Sequence, residues 1–296
     1  SRHIIPIGER FDADEFGDRL LDAHASGAVV WAKDMFGYSY YPSVHAPIHP
    51  GLSFDLLGAQ VAALRKRKIA AHGYFCTTWN LELAERRPEW RALKRDGTSY
   101  LPQPDETFGC TAHGRNGQPE CITASLCLAH EDFVALQLEH LRELVSRYEL
   151  DGVWIDTSVP PMHCYCEECL RQLRDSKLDP FDEHAQYDHK LGLHVSFLEC
   201  IAHVVKETRP GCQIDVENAG SYGFGSRASL MDCTDLESLF TDMSWYGYYY
   251  FPTIVRHGRN FGVPPYGLTS RFTRFWADFG GLKMPSQLRT EAATIV

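Results

Sequence analysis

The feature that most constrains the fold of this chain is an alternation of short apolar runs with longer segments whose apolar residues recur at helical spacing. The strand-like runs are 3–7, 28–32, 69–76, 152–155, 213–216, 235–239 and about 266–276. The helical segments are 14–26, 55–66, 132–148, 187–208, 252–261 and 286–296. Strands that alternate with helices of this length predict a parallel sheet, because each parallel connection needs a crossover.

The length of the chain favours one large α/β domain. Of its 296 residues 44% are hydrophobic, and a barrel of roughly 250 residues would use most of them. We therefore expect a single catalytic (β/α)8 TIM-type barrel over 1–296. Seven predicted strands are one short of a closed barrel, and the last helical pattern runs to the end of the chain. The expected barrel is therefore truncated at its carboxyl end, with the eighth strand missing.

Charge and hydropathy exclude two classes of partner. The net charge is -10, which argues against a nucleic-acid-binding surface. The basic run 65–68 ends an amphipathic helix, where cations complement the helix dipole. No stretch approaches the roughly 20 apolar residues of a membrane helix. We therefore expect neither a nucleic acid nor a membrane as partner.

One carboxylate stands at the end of a predicted strand. The run Asp-Gly-Val-Trp-Ile-Asp at 151–156 places Asp156 at the carboxyl end of the fourth predicted strand. In parallel α/β folds this end of the sheet carries the ligands and the chemistry. Asp156 is therefore the first candidate for a reacting group. The alternative is that Asp156 caps the next helix or orders a loop.

A cysteine-rich loop follows that strand. Its C-x-C-x2-C spacing lets three thiolates converge on one tetrahedral ion. Ten cysteines scattered along the chain suit a reducing, cytoplasmic compartment better than a disulfide framework, although paired or unligated thiols remain the alternative. We expect a structural zinc site in the loop near 158–172, with His163 as an alternative fourth ligand. The predicted ligands are Cys127, Cys164, Cys166 and Cys169.

The ends of the other predicted strands carry aromatic and hydrogen-bonding residues. Together they offer what a sugar requires, namely faces to stack on and donors for its hydroxyl groups. Taken singly, Lys33 could form an ion pair inside the barrel and His72 could be a satisfied core histidine. The predicted substrate-binding residues are Lys33, Asp34, Tyr40, His72, Trp79, Trp154, Trp245 and Arg271.

Cleavage of a glycosidic bond needs two carboxyl groups. We expect Asp156 to be the nucleophile, Glu237 the acid/base residue and Glu217 the second choice for that role. A retaining pair stands about 5 to 5.5 Å apart and an inverting pair about 6.5 to 9.5 Å apart. The sequence does not give this separation.

These residues resemble known families. The run at 151–156 resembles the D-x-x-W-F-D segment of the family 29 α-L-fucosidases, whose last Asp is the nucleophile of a retaining mechanism; here Ile155 replaces the aromatic residue and Thr157 the usual Gly. Nearly the whole chain is also similar to a group of bacterial glycoside hydrolases related to these fucosidases and to family 42 β-galactosidases. The shared segments are 32–42, 49–52, 88–90, 236–239 and 276–283.

The cysteine pattern carries a separate resemblance. Family 42 β-galactosidases hold a zinc ion with one upstream cysteine and a C-x-C-x2-C cluster, which Cys127 and the loop resemble. Those enzymes use two catalytic Glu residues, whereas Asp156 stands here. Members of both groups often continue into a further sheet or a trimer-forming domain. The resemblance therefore implies homo-oligomers that form through carboxyl-terminal domains outside this sequence.

The function expected from this reasoning is the retaining hydrolysis of a terminal glycosidic bond, with an α-L-fucoside or a related oligosaccharide as substrate. The alternatives are a β-galactosidase-like enzyme and a barrel that binds carbohydrate without cleaving it. A metal-dependent hydrolase of amides or esters would need several His and Asp ligands at strand ends, and His72 with Asp156 is too small a set.

Overall fold

The computed structural model of the protein describes six stretches of the chain. They are 6–99, 124–156, 163–217, 228–238, 247–272 and 281–295. The chain divides into two compact units, the first formed by 1–100 with 123–214 and the second by 101–122 with 215–296. Each unit has a buried apolar cluster of its own. The expected single barrel domain stays a prediction.

The first unit alternates helices with parallel strands. Its elements are α1 (Ala13–Asp22), β1 (Gly27–Lys33), α2 (Leu56–Lys66), β2 (Ala70–Cys76), α3 (Leu81–Arg86), α4 (Glu131–Arg147), β3 (Gly152–Asp156), α5 (Glu167–Asp175) and α6 (Glu183–Thr208). Strand β4 (Gln213–Val216) begins in this unit and ends in the second. The sheet order is β1-β2-β3-β4, with β1–β2 and β2–β3 parallel.

Polar side chains determine where several helices of the first unit begin. Asp12, Asp55, Asn80 and Asp182 each accept a backbone N–H from the first turn of the next helix at 2.8 Å. Such a cap satisfies a donor that has no partner within the helix. The cap at Asp182 explains why α6 begins at Glu183, four residues before the predicted start.

The register of the sheet brings the strand ends together. Cys76, the last residue of β2, pairs with Asp156, the last residue of β3, and Phe75 pairs with Lys33 at the end of β1. The three strands therefore end at one edge of the sheet. Phe75 and Ile155 are fully buried, as expected for a parallel sheet that is covered on both faces.

The second unit contains a two-stranded parallel sheet and two helices. Its elements are β5 (Thr234–Glu237), α7 (Tyr250–Gly258), β6 (Pro265–Leu268) and α8 (Pro285–Ile295). Leu236 and Phe251 form its buried cluster, against which Ile295 packs. A Cβ at Gly267 would lie 2.5 Å from Ile295 and 2.7 Å from Phe251. A larger residue at position 267 would therefore force the side chains of Ile295 or Phe251 to shift.

The α/β class and the parallel sheets are confirmed, whereas the closed eight-stranded barrel stays a prediction. Five of the predicted strands are observed as β1 to β5. The predicted run 3–7 lies largely outside the described residues, and the last predicted strand is observed only as β6, which ends at Leu268. The predicted helix 14–26 ends at Asp22, because His24 adopts the left-handed conformation, with φ of 56°.

Two short helices, α3 and α5, were not predicted from the sequence. With 6 and 9 residues they offer too few turns for a periodic pattern. In the described part of the chain, no helix combines the length and the apolar character needed to cross a membrane.

Candidate functional site

Asp156 lies where the sequence predicts it, at the carboxyl end of β3, which is the third strand of the described sheet. The residue is 8% exposed. The hydroxyl group of Tyr74 donates a hydrogen bond to its Oδ2. Its backbone carbonyl accepts from the amide of Thr77 at 3.0 Å and from the Thr77 hydroxyl at 2.9 Å. Both ends of the residue are therefore held in place.

Aromatic rings surround Tyr74, the residue that donates to Asp156. The ring of Tyr74 lies 4.1 Å from that of Trp31 and 5.4 Å from that of Trp154, measured between centroids. Tyr40 lies 6.2 Å from Trp31, and His49 lies 5.7 Å from Tyr40. These five residues form the aromatic cluster. Trp31 is 45% exposed, so one ring of the cluster is open to solvent.

Lys33 faces the protein interior. Its ammonium group donates to the carbonyl of Cys76 and to Oε1 of Gln137, both at 2.6 Å, and the residue is 1% exposed. Burial lowers the pKa of Lys33 to about 8. The side chain thus ties β1 to the end of β2 and to α4. These partners are neutral, so the link is not the ion pair that was the alternative expectation for Lys33, and its role in substrate binding stays a prediction.

Asp34 organises the loop that carries Tyr40. Its Oδ1 accepts the backbone N–H groups of Phe36, Gly37 and Tyr38 at 2.9 to 3.0 Å. Its Oδ2 accepts the hydroxyl of Tyr40 at 3.2 Å. Burial raises the pKa of Asp34, and these hydrogen bonds oppose the shift. Asp34 therefore acts on the aromatic cluster by positioning Tyr40.

The remaining predicted binding residues are dispersed. His72 pairs with Gly152, the first residue of β3, and so lies toward the amino end of the strands, away from Asp156. Trp79 follows β2, and its carbonyl accepts from the thiol of Cys76 at 3.5 Å. Arg271 is exposed and lies over the ring of Phe272 in the second unit. Trp245 lies outside the described residues.

Carboxylates also gather in the second unit. Glu217 follows β4 and Glu237 ends β5, and both are partly buried. Asp215 and Asp235 stand two residues before them, and Asp235 and Glu237 therefore share a face of β5. The hydroxyl of Tyr266 donates to Asp215, and burial raises the pKa of this carboxyl to about 7.

The predicted catalytic carboxylates are divided between the units. Asp156 belongs to the first, whereas Glu217 and Glu237 belong to the second. Their assignment as a catalytic pair, and the distance between them, stay predictions. Several residues around these carboxylates were not predicted from the sequence. Asp215 and Asp235 had one signal, since each stands two residues before a candidate acid, whereas Trp31, Tyr74 and Tyr266 lie in strands that end at other residues.

The four predicted cysteines form one buried group. The Sγ atoms of Cys127, Cys164, Cys166 and Cys169 all lie within 4.8 Å of one another. Cys127 Sγ and Cys169 Sγ lie 3.3 Å apart. A disulfide would require about 2.05 Å, and all described cysteines are free. His163, the alternative fourth ligand, is not part of this group.

This group has the chemistry of a tetrahedral metal site. Thiolates at about 2.3 Å from a zinc ion stand about 3.8 Å apart, close to the observed spacing. The backbone N–H of Leu93 donates to Cys164 Sγ at 3.4 Å, and Lys190 donates to Cys127 Sγ at 3.2 Å. Hydrogen bonds from the other three cysteines lower the pKa of Cys127. The four side chains could therefore hold one divalent ion.

The parallel sheet with a carboxylate at its carboxyl edge is an α/β arrangement similar to glycoside hydrolase barrels. A family model described as "Hypothetical glycosyl hydrolase 6" matches residues 12–157. The match includes β1 to β3 and ends one residue after Asp156.

Three solved structures show the extent of the likeness. α-L-Fucosidase isoenzyme 2 from Paenibacillus thiaminolyticus is 30% identical, with a TM-score of 0.86 over 99% of this chain and 42% of that chain. The PgaB (BpsB) glycoside hydrolase domain from Bordetella bronchiseptica is 13% identical, with a TM-score of 0.69 over 95% and 84%. The β-galactosidase from the psychrophilic Marinomonas ef1 is 10% identical, with a TM-score of 0.62 over 91% and 47%.

These three similarities support different conclusions. The second and third structures share the fold alone, because their identity to this chain is low. The chain spans less than half the length of the fucosidase that it resembles. No curated protein matches the sequence.

Proposed function

We propose that this chain is the catalytic part of a retaining exo-glycosidase that releases terminal α-L-fucose. The observation that carries the proposal is the position of Asp156, a nearly buried carboxylate at the carboxyl edge of the sheet, held by Tyr74 beside an open aromatic cluster. The likeness to the Paenibacillus fucosidase over almost the whole chain supports the choice of sugar.

The proposed reaction has two steps. Asp156 attacks the anomeric carbon while Glu237 protonates the leaving oxygen, so that the glycosidic C–O bond breaks and a glycosyl-enzyme ester forms. Glu237 then removes a proton from water, which attacks the same carbon and releases the sugar and Asp156. Glu217 is the second choice for the acid/base role.

The aromatic cluster suits a 6-deoxy sugar. Fucose presents a C–H face and a methyl group, and both gain from contact with aromatic rings. We assign Trp31, Trp154 and Tyr40 to this contact. Trp79, Trp245 and Arg271 remain proposed contacts to the sugar, whereas Lys33, Asp34 and His72 are better explained as structural residues by their positions.

We assign a structural zinc ion to the four-cysteine group. Four thiolates would fill the tetrahedral shell, so no open position remains for a reactive water molecule. The metal would join the segment before α4 to the start of α5 and would take no part in the cleavage.

The test measures phenol release from aryl glycosides by the full-length protein, with α-L-fucoside and β-D-galactoside first. Wild type is compared with Asp156→Asn and with Asp175→Asn, a control at an exposed position. We expect one sugar to be turned over, and Asp156→Asn to reduce turnover at least about 1000-fold. Asp156→Gly with sodium azide should regain part of the rate and yield a glycosyl azide, because the small anion replaces the nucleophile.

Each outcome separates the proposals. Turnover of the β-galactoside alone would favour a β-galactosidase-like enzyme. The four-cysteine group supports this second candidate, because it resembles the family 42 arrangement. Activity that survives in Asp156→Asn would remove Asp156 from the mechanism. Binding of a sugar without turnover by wild type would point to a carbohydrate-binding barrel.

A further inference from the structure

Lys190 is a buried cation beside the four-cysteine group. It lies in α6, is 2% exposed, and donates to Cys127 Sγ at 3.2 Å. Among the ion pairs of the described stretches, none includes Lys190. A buried ammonium group is costly without a compensating negative charge. The sulfur of Cys127 is in contact with Lys190 and, as a metal-bound thiolate, would supply this charge.

The four-cysteine group would in turn carry negative charge that needs compensation. Four thiolates around one divalent ion carry a net charge of two negative units, and the group is enclosed by apolar residues such as Ala92, Ala129 and Leu193. The other described donor to the sulfur atoms is the neutral amide of Leu93. Of these two described donors Lys190 is the cation, so it would halve the net charge of the buried assembly.

We propose that Lys190 is the charge-compensating residue of the metal site. Its ammonium group donates to the Cys127 thiolate, which lowers the cost of gathering four thiolates and makes that sulfur less reactive toward electrophiles. Residues next to metal ligands commonly act in this way, by hydrogen bonding and orientation. The inference rests on the proposed zinc site and is independent of the glycosidase activity.

The test measures metal affinity in the full-length protein. Wild type, Lys190→Met, Lys190→Arg and the control Lys206→Met are compared; Lys206 lies on the same helix and donates to the carbonyl of Cys212. Zinc is measured by mass spectrometry, and zinc transfer to a coloured chelator gives the affinity. Cobalt(II) substitution reports the thiolate ligands by their charge-transfer absorption.

We expect Lys190→Met to bind zinc about 10- to 100-fold more weakly, to shift the cobalt–thiolate absorption and to react faster with iodoacetamide. Lys190→Arg should retain most of the affinity, because it keeps the charge, and Lys206→Met should match wild type. Equal zinc affinity in Lys190→Met and wild type would overturn the role of Lys190. A wild type that takes up no metal would overturn the metal site and the inference together, whatever the glycosidase assay shows.

Discussion

The orientation of the Asp156 side chain depends on one neighbour. Tyr74 is buried, its hydroxyl donates to Asp156, and its ring is held between Trp31 and Trp154. The same residue therefore supports the proposed nucleophile and the aromatic cluster. Replacing the hydroxyl alone separates these two contributions.

We expect Tyr74→Phe to keep the ring contacts and to lose the hydrogen bond to Asp156. A hydrogen bond to a charged group contributes about 1.5 to 3 kcal/mol, so kcat/KM on the preferred aryl glycoside should fall about 10- to 100-fold. Tyr148→Phe is the control, because its hydroxyl donates to Asp55 at 2.7 Å, in a helix cap. Unchanged kcat/KM in Tyr74→Phe would contradict a positioning role.

Among the helices, α8 is held by an interior ion pair. Lys283 Nζ lies 2.7 Å from Glu291 Oε2, and both side chains are fully buried. The hydroxyl of Thr269 donates to the same oxygen at 2.7 Å. The pair thus connects α8 to the segments at 269 and 283. Breaking one partner would leave the other charge buried and uncompensated.

We expect Lys283→Met to lower the free energy of unfolding by about 3 to 5 kcal/mol. The double variant Lys283→Met with Glu291→Leu should recover much of this loss, because no unpaired charge remains. Lys66→Met is the control, since its pair with Asp14 is exposed and should contribute less than about 1 kcal/mol. Urea unfolding measures the stability of these three variants. If Lys283→Met were as stable as wild type, the prediction would be refuted.

At the scale of the whole molecule, the ionisation of Asp215 is expected to make the stability of the fold depend on pH. Burial raises the pKa of Asp215 from 3.8 to about 7. Because the folded value is the higher one, the stabilising contribution is complete below about pH 4 and is lost as the pH rises through 7. Above pH 7 the charged carboxylate therefore lowers stability, by up to about 4 kcal/mol.

Asp215→Asn removes this titration while it keeps an acceptor for Tyr266. We expect the variant to be more stable than wild type at pH 8 and close to wild type at pH 4, as measured by urea unfolding across this range. Asp232→Asn, at an exposed position, should retain the pH dependence of wild type. Identical pH profiles for wild type and Asp215→Asn would show that Asp215 does not titrate in this window.

The sequence by itself determined the features that depend on local pattern. The alternation of strands and helices, the carboxylate at the end of β3 and the cysteine spacing are properties of neighbouring residues, because period and propensity act over a few positions. The four cysteines could be named as one group because three of them are close in the chain, and the fourth precedes the helix that leads into β3.

Only the tertiary structure decided which distant groups meet. Tyr74 reaches Asp156 across 82 positions, and Lys190 reaches Cys127 across 63. Lys33 was predicted to bind substrate, and the structure shows its ammonium group donating a hydrogen bond to Gln137, 104 positions away. Such contacts are set by strand register and by the packing of helices on the sheet, and neither is encoded in a local pattern.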